Sequence, residues 1–430
     1  MRPMPVSASN AVPAACRTGL HRAPPDSRGG DAGARLFPRL SRSARRIALV
    51  GNALPRLCGL ATYTSHVHDA LRAHFPGIAV DHYAMVDPGR CYDFPATVCR
   101  TIDQEDRASY AAAARAIDAS GADLIWVQHE FGIYGGFAGR HLLDLLDHSA
   151  VPVAVTLHTV LETPDDTQRY VMDRLAGRAA LLIVMAERAR DNLVSEYGVS
   201  PARIAVIPHG VPDRPYVAPA DVRYALGLED RKTILTFGLL SPGKGIETMI
   251  AAMPAILARC PEALYTIVGA THPNLVAHEG EAYRERLEAL AAELGVADHL
   301  RWDARFLDEE ALLHRIAAAD VYVTPYGNPA QITSGALSYA FGLGKPIVST
   351  PYVHAAELLA GGRGRLVGFG DVAAIAEAVA DWLADDDARG ACAASAYRDG
   401  RAMTWRRMAE RVVERFDRLL AAEPILYAEA

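Results

Sequence analysis

Lys244 is the residue from which chemistry is most readily argued. It closes the stretch Thr236-Phe-Gly-Leu-Leu-Ser-Pro-Gly-Lys-Gly-Ile-Glu247, where an apolar run breaks at Gly238 and a helical period opens after Gly245. Small residues allow close backbone approach, a helix start offers unpaired N–H groups, and the lysine adds a full positive charge. Together they suit a pyrophosphate. A solvated lysine after a glycine-rich turn is the plainer reading of the same residues. A second segment weighs against it. Pro325-Tyr-Gly-Asn-Pro-Ala-Gln331-Ile-Thr-Ser-Gly-Ala-Leu-Ser-Tyr339 follows an apolar run and enters a helix. The amides of Thr333, Ser334 and Gly335 would form a second phosphate cradle facing Lys244. Gln331 offers both donor and acceptor to sugar hydroxyls, and Tyr339, two turns along the helix, is placed to meet a ribose or base.

Three further strand ends in the first half carry polar groups. Pro55-Arg56-Leu57-Cys58-Gly59 opens a helix at Gly59, with Arg56 as a cation beside it. An anion on backbone amides and an ordinary strand-to-helix turn fit these residues equally. Gln128-His129-Glu130-Phe131-Gly132-Ile133-Tyr134-Gly135-Gly136 places His129, Glu130 and Tyr134 after a strong strand, where they could bind sugar hydroxyls or move protons. His158, in Thr156-Leu-His-Thr159, ends another strand. A lone histidine is usually structural, but its position here favours a substrate contact. The run Asp385-Asp386-Asp387 lies away from any strand end and reads as a solvated helix terminus, so no metal is assigned.

These segments need elements to hold them. From Arg46 onward, short apolar runs alternate with helical periods: Ile47–Gly51, Ala79–Tyr83, Leu124–Gln128, Val153–Leu157, Leu181–Met185 and Ile204–Ile207. A proline-rich linker, Val211–Ala220, follows. The alternation then restarts near Thr233–Phe237, Leu264–Val268, Leu300–Trp302, Val321–Thr324, Pro346–Ser349 and Arg365–Val367. Such alternation means parallel sheets with right-handed crossovers. The expected fold class is α/β, with two doubly wound Rossmann-like domains facing each other across a cleft. The expected divisions are an extension (1–46), a first domain (47–215), a second domain (216–400) and a C-terminal helical segment (401–430) strapping back to the first. Ligands bind at the carboxyl ends of such sheets.

Bulk properties narrow the classes. The 430 residues carry a formal net charge of −7, which argues against a general nucleic-acid binder. Residues 1–46 hold nine arginines and two aspartates, an excess of seven positive charges that leaves the rest at −14. This Pro-, Ser- and Gly-rich head lacks any period and is expected to be disordered. No apolar run approaches the ~20 residues of a membrane span. The six scattered cysteines form no C-x-x-C pair, which points to a reducing cytoplasm.

From about Ile47 to Leu420 the chain resembles a retaining, two-domain (GT-B) glycosyltransferase of family 4. The resemblance rests on the Gly59 turn, His158, Pro208-His-Gly-Val211, Gly238…Lys244-Gly245, Gly344-Lys-Pro-Ile-Val348, Ala355-Ala-Glu-Leu358 and Gly364…Leu366-Val367. It implies a nucleotide diphosphate sugar on the second domain, with Gly238 beside Lys244, and a carbohydrate or other hydroxyl acceptor on the first; His272, in the departing segment Gly269-Ala-Thr-His-Pro273, is a further donor-binding candidate. It implies that His158 positions the transferred sugar, that Glu357 binds its hydroxyls, and that no metal or other cofactor is required. The chain departs from the family where an arginine usually follows the loop glycine (here Leu239), and where two glutamates are replaced by Gln331 and Tyr339. Arg56 is expected to replace the lost guanidinium. Hexosyl transfer is the expected activity, from GDP-mannose or a UDP-hexose. A nucleotide-sugar epimerase or hydrolase and an inactive nucleotide-sugar-binding protein are the alternatives. The acidic body lacks a strongly basic amphipathic helix, which leaves only peripheral membrane contact open.

Overall fold

The computed structural model describes residues 43–421. Residues 1–42, nearly all of the expected disordered extension, lie outside it, as do 422–430. The chain builds two parallel sheets. The first comprises β1 (Arg46–Gly51), β2 (Ala79–Val86), β3 (Val98–Asp103), β4 (Leu124–His129), β5 (Val153–Leu157), β6 (Leu181–Val184) and β7 (Ile204–Val206), in the order β3-β2-β1-β4-β5-β6-β7. The second comprises β8 (Lys232–Phe237), β9 (Ala263–Val268), β10 (Leu300–Asp303), β11 (Val321–Thr324), β12 (Ile347–Ser349) and β13 (Arg365–Leu366), in the order β10-β9-β8-β11-β12-β13.

Every strand pair is parallel. Central strands such as β4 are buried along their whole length, because helices cover both faces. In each sheet the order reverses beside the first strand, between β1 and β4 and between β8 and β11. Crevices for ligands open at such points. The expected strands are all present. The sequence reading missed β3, a mostly exposed edge strand in which Ile102 alone is buried.

The chain crosses between the two sheets twice, and the crossings are hydrogen-bonded to each other. Val211 N–H donates to Met403 O at 2.9 Å, and Trp405 N–H donates to Val211 O at 3.0 Å. The helix Trp405–Ala421 then packs on Gly59–His74 of the first sheet. It buries Met408, Ala409, Val412, Val413 and Phe416 against Tyr63, Val67 and Leu71. Gly210 sits where the crossings meet: an added Cβ would lie 2.0 Å from the Trp405 ring. Gly210→Ala should therefore destabilise the protein by about 1–3 kcal/mol through overpacking, read as a lower urea midpoint at unchanged m-value.

Among the described residues, no helix is long and apolar enough to cross a membrane.

Candidate functional site

The Lys244 loop is built as its residues suggest. Ser241 leads into a short turn over Pro242–Lys244, and Gly245 follows at φ +62°. An added Cβ on Gly245 would lie 1.9 Å from Pro325 O, so the loop sits directly on the segment leaving β11. Gly327 N–H donates to Gly243 O at 3.1 Å, tying the two loops. The Lys244 ammonium lies 4.1 Å from the centroid of the buried Tyr326 ring. No described carboxylate pairs with it. A cation supported by a ring face and lacking a counter-ion is ready for an anion. His272 stands nearby, its pKa lowered by burial first and by the charge of Lys244 second. Its Nδ1 accepts from Asn274 N–H at 3.2 Å. Gly238, at φ +127°, has open space where a Cβ would stand.

The β11 side is equally organised. Ser334 caps the Gly335–Gly342 helix by accepting from Leu337 N–H at 3.2 Å. Ser334 N–H donates to His354 Nδ1 at 2.8 Å, which places the His354 proton on Nε2 and takes this amide out of the expected phosphate cradle. Tyr326 stacks on Tyr352, with centroids 5.1 Å apart, and Tyr352 Oη lies 3.0 Å from Thr324 Oγ1. The rings beneath Lys244 thus continue to the end of β11, whose following segment leads to Ser334. Thr333 Oγ1 and Tyr326 Oη are buried without a protein partner. They are unpaired polar atoms on the segment where a donor was expected.

Other expected site residues are placed differently. Gln331 Nε2 donates to Thr333 O at 2.8 Å, within its own segment. Tyr339 is buried and bonded to the first sheet's side. Its hydroxyl lies 2.8 Å from Nδ1 of His66, on the Gly59–His74 helix of the first sheet. His66 also lies 3.5 Å from Glu309. Glu357 is engaged by the first sheet's side. Its two oxygens accept from Glu187 N–H at 2.8 Å and Arg188 N–H at 2.7 Å. Those amides begin the helix Glu187–Ser195, whose own Ala186 offers no capping side chain. Arg56 is not a spare cation. It is held by Asn52 Oδ1 at 2.6 Å and Asp87 Oδ1 at 2.5 Å.

In the first sheet, His158 Nε2 approaches Gln128 Oε1 at 3.2 Å, and its ring meets Tyr63 edge-on at 4.7 Å. This hydrogen bond leaves Nδ1 as an acceptor. Gly59, which opens the 16-residue helix, has open space around its Cβ position. Glu130 joins two strand ends by accepting from Thr159 Oγ1 at 2.5 Å, and burial raises its pKa. His129 and Tyr134 belong to the core, contrary to expectation. Neither His129 ring nitrogen has a partner, and Tyr134 Oη donates to Gln128 O at 2.8 Å. The strand's alternation turns His129 toward the face covered by Phe131 and Tyr134.

Sequence reasoning missed the aromatic seam between the sheets: Tyr63, His66, His209, Tyr339 and Trp405, with neighbouring ring centroids 5.0–6.3 Å apart. The Pro208-His-Gly-Val211 segment was its one visible trace. An added Cβ on Gly335 would lie 2.9 Å from His209 Nε2, so the seam reaches the helix start. Asp385 proves to cap the helix Asp386–Gly400, while Asp386 pairs with Lys232 and Arg389. Among the described residues, no group of three or more His, Cys, Asp or Glu side chains is arranged to hold a metal ion.

Burial holds the pKa of His129 and His354 down to about 3. His158 falls to about 3 through burial and the neighbouring His209 and His129, and His209 to about 4 chiefly through burial. These groups are neutral when folded and titrate near 6.5 when unfolded. The unfolded state therefore binds more protons below that pH, and stability falls as the solution is acidified from about 7 toward 4. Each group contributes up to about 1.4 kcal/mol per pH unit. Urea midpoints measured at pH 7.5, 6 and 5 should decline in that order.

Two family matches follow each other along the chain, the first beginning after β1. Residues 58–214 match Glycosyltransferase Family 4, and residues 221–399 match Glycosyl transferases group 1. Paired with strand orders that reverse beside β1 and β8, they define a chain of GT-B glycosyltransferase fold. Solved structures agree. Sucrose-phosphate synthase from Thermosynechococcus elongatus is similar at a TM-score of 0.71 and 21% identity, over 88% of this chain and 100% of that one. Anabaena HepE, in complex with UDP and glucose, has a TM-score of 0.69 and 18% identity, over 87% and 100%. A curated relative from Mycolicibacterium smegmatis is a GDP-mannose-dependent alpha-(1-6)-phosphatidylinositol monomannoside mannosyltransferase. It is 30% identical over 227 residues, covering 50% of this chain and 56% of the relative. The chain thus spans little more than half of that protein's length.

Proposed function

We propose that the protein transfers a hexosyl group from a nucleotide diphosphate sugar to an acceptor hydroxyl, with retention of configuration. The carrying observation is Lys244: a cation with no described carboxylate partner, held over Tyr326 at the carboxyl end of β8 and wired to the loop after β11. The donor diphosphate lies between Lys244 and the helix start at Gly335, on the second sheet. Negative charge grows on it as the glycosidic bond breaks, and prepositioned donors are worth most at that moment. His158, neutral and with Nδ1 free to accept, orients a sugar hydroxyl and takes no part in proton transfer. With no carboxylate assigned as a nucleophile, the acceptor oxygen attacks from the face of the departing phosphate, which accepts its proton. The mannosyltransferase relative favours GDP-mannose as the first donor to try, and HepE favours UDP-glucose.

Incubation with GDP-mannose and with UDP-glucose, with and without methyl glycosides as acceptors, tests this reading. Acceptor-dependent nucleotide release supports it. Release of a 2-epimer or free sugar without acceptor would replace it with an epimerase or hydrolase, and tight binding without turnover with a binding protein.

A further inference from the structure

We propose that Phe137 is the stacking surface for a pyranose ring of the acceptor, an inference that rests on the transferase reading above and specifies its substrate class. The order of the first sheet puts its switch point between β1 and β4, so the loops after these strands flank the ligand crevice. The loop after β4 is strongly fixed. Gly135 N–H donates to Tyr110 Oη at 3.0 Å, Gly136 N–H to Glu105 Oε2 at 3.3 Å, and His141 N–H to Gly135 O at 3.0 Å. An added Cβ on Gly135 would lie 1.7 Å from Gln104 O, so the backbone is clamped against its neighbour. At the crest of this clamped loop, Ala138 takes φ +52°, the single positive φ outside glycine among the described residues. L residues resist that conformation, and it persists only where the surroundings over-determine it.

The clamped crest presents Phe137 at 80% exposure. A connection serving only to join β4 to the helix Leu142–Asp147 has no need of an aromatic ring held out in water. Tyr224 is as exposed, but it lies in a short turn before β8, away from any strand carboxyl end. Leu57, 48% exposed, stands on the loop after β1 on the other side of the switch point. A pyranose fits this setting: its C–H face covers an aromatic ring while its hydroxyls keep their hydrogen bonds to water and polar neighbours. With its backbone already held, the residue has less freedom to lose on binding than one on a mobile loop. The −14 charge of the chain beyond residue 46 disfavours an anionic lipid surface as the occupant.

The test uses Phe137→Ala and Phe137→Trp in the full chain, with methyl α-D-mannopyranoside and methyl β-D-glucopyranoside as probes. In acceptor-dependent nucleotide release, Phe137→Ala should raise the KM of the glycoside at least tenfold. Donor KM and kcat should stay within about twofold, and Phe137→Trp should restore the glycoside KM. An unchanged glycoside KM in Phe137→Ala overturns the proposal and leaves the transferase intact. If no donor is turned over at all, the transferase reading fails, and saturation-transfer NMR of the glycosides decides the ring's role separately. Transfer to pyranose protons that is lost in Phe137→Ala supports stacking. No transfer in the wild type, or equal transfer in the variant, overturns it.

Discussion

Lys244→Ala is expected to lower kcat by about 10²–10³, a loss of about 2.7–4 kcal/mol of transition-state stabilisation. The size follows from what surrounds the ammonium. A lysine already paired with a carboxylate would deliver little new attraction to a diphosphate. This one rests 4.1 Å from the centre of the Tyr326 ring, with no described carboxylate beside it. Its charge is therefore committed when the bond to the sugar lengthens and negative charge gathers on the leaving oxygens. Lys244→Arg keeps the charge but spreads it over a planar fork, and should recover part of the rate. Steady-state nucleotide release separates the alternatives: a fall in kcat places Lys244 at the transition state, whereas a higher donor KM alone makes it a ground-state anchor. Activity within fivefold of wild type would remove Lys244 from the mechanism. Because its side chain sits in a surface loop, the urea midpoint should barely move, which keeps a kinetic loss from being mistaken for unfolding.

How these features stand in the sequence differs with how local they are. The strands were legible because β1, β4, β5, β8 and β11 are buried on both faces and must be continuous apolar runs. β3 was not, since exposed Cys99, Arg100 and Thr101 at a sheet edge follow no such rule. The Lys244 loop was legible for the same reason of locality: glycine and proline set the turn, and the lysine lies within it. The fates of Tyr339 and Glu357 depend on partners far along the chain. Tyr339 meets a histidine 273 residues away, and Glu357 caps a helix 170 residues away. Matching such residues to a family pattern suggested ligand contacts. Nothing in their immediate neighbours announced a bond to the opposite sheet.

Glu357→Ala should loosen the join between the two sheets, with the effect concentrated at the amides of Glu187 and Arg188. Both amides lie at the start of a helix that has no cap of its own, where unpaired N–H groups and the helix dipole favour a negative charge. The carboxylate comes from the helix Val353–Leu358, after β12, so the cap is also a tether between sheets. Charge-assisted bonds exceed neutral ones, but these are exposed and water replaces part of what is lost. A net cost of about 1.4 kcal/mol, a typical capping energy, corresponds to roughly tenfold faster hydrogen exchange at the two amides. Glu357→Gln keeps one acceptor oxygen without the charge and should fall between. The same tether bears on catalysis. Each carboxylate oxygen has a second lone pair, so on the function proposed above a donor sugar can hydrogen-bond Glu357 without breaking the cap, and the join between the sheets is then reinforced by the donor. On that account the two amides exchange more slowly once GDP-mannose or UDP-glucose is bound. Faster exchange on binding would mean that the sugar pulls Glu357 off its helix, making the contact a catch that the donor releases.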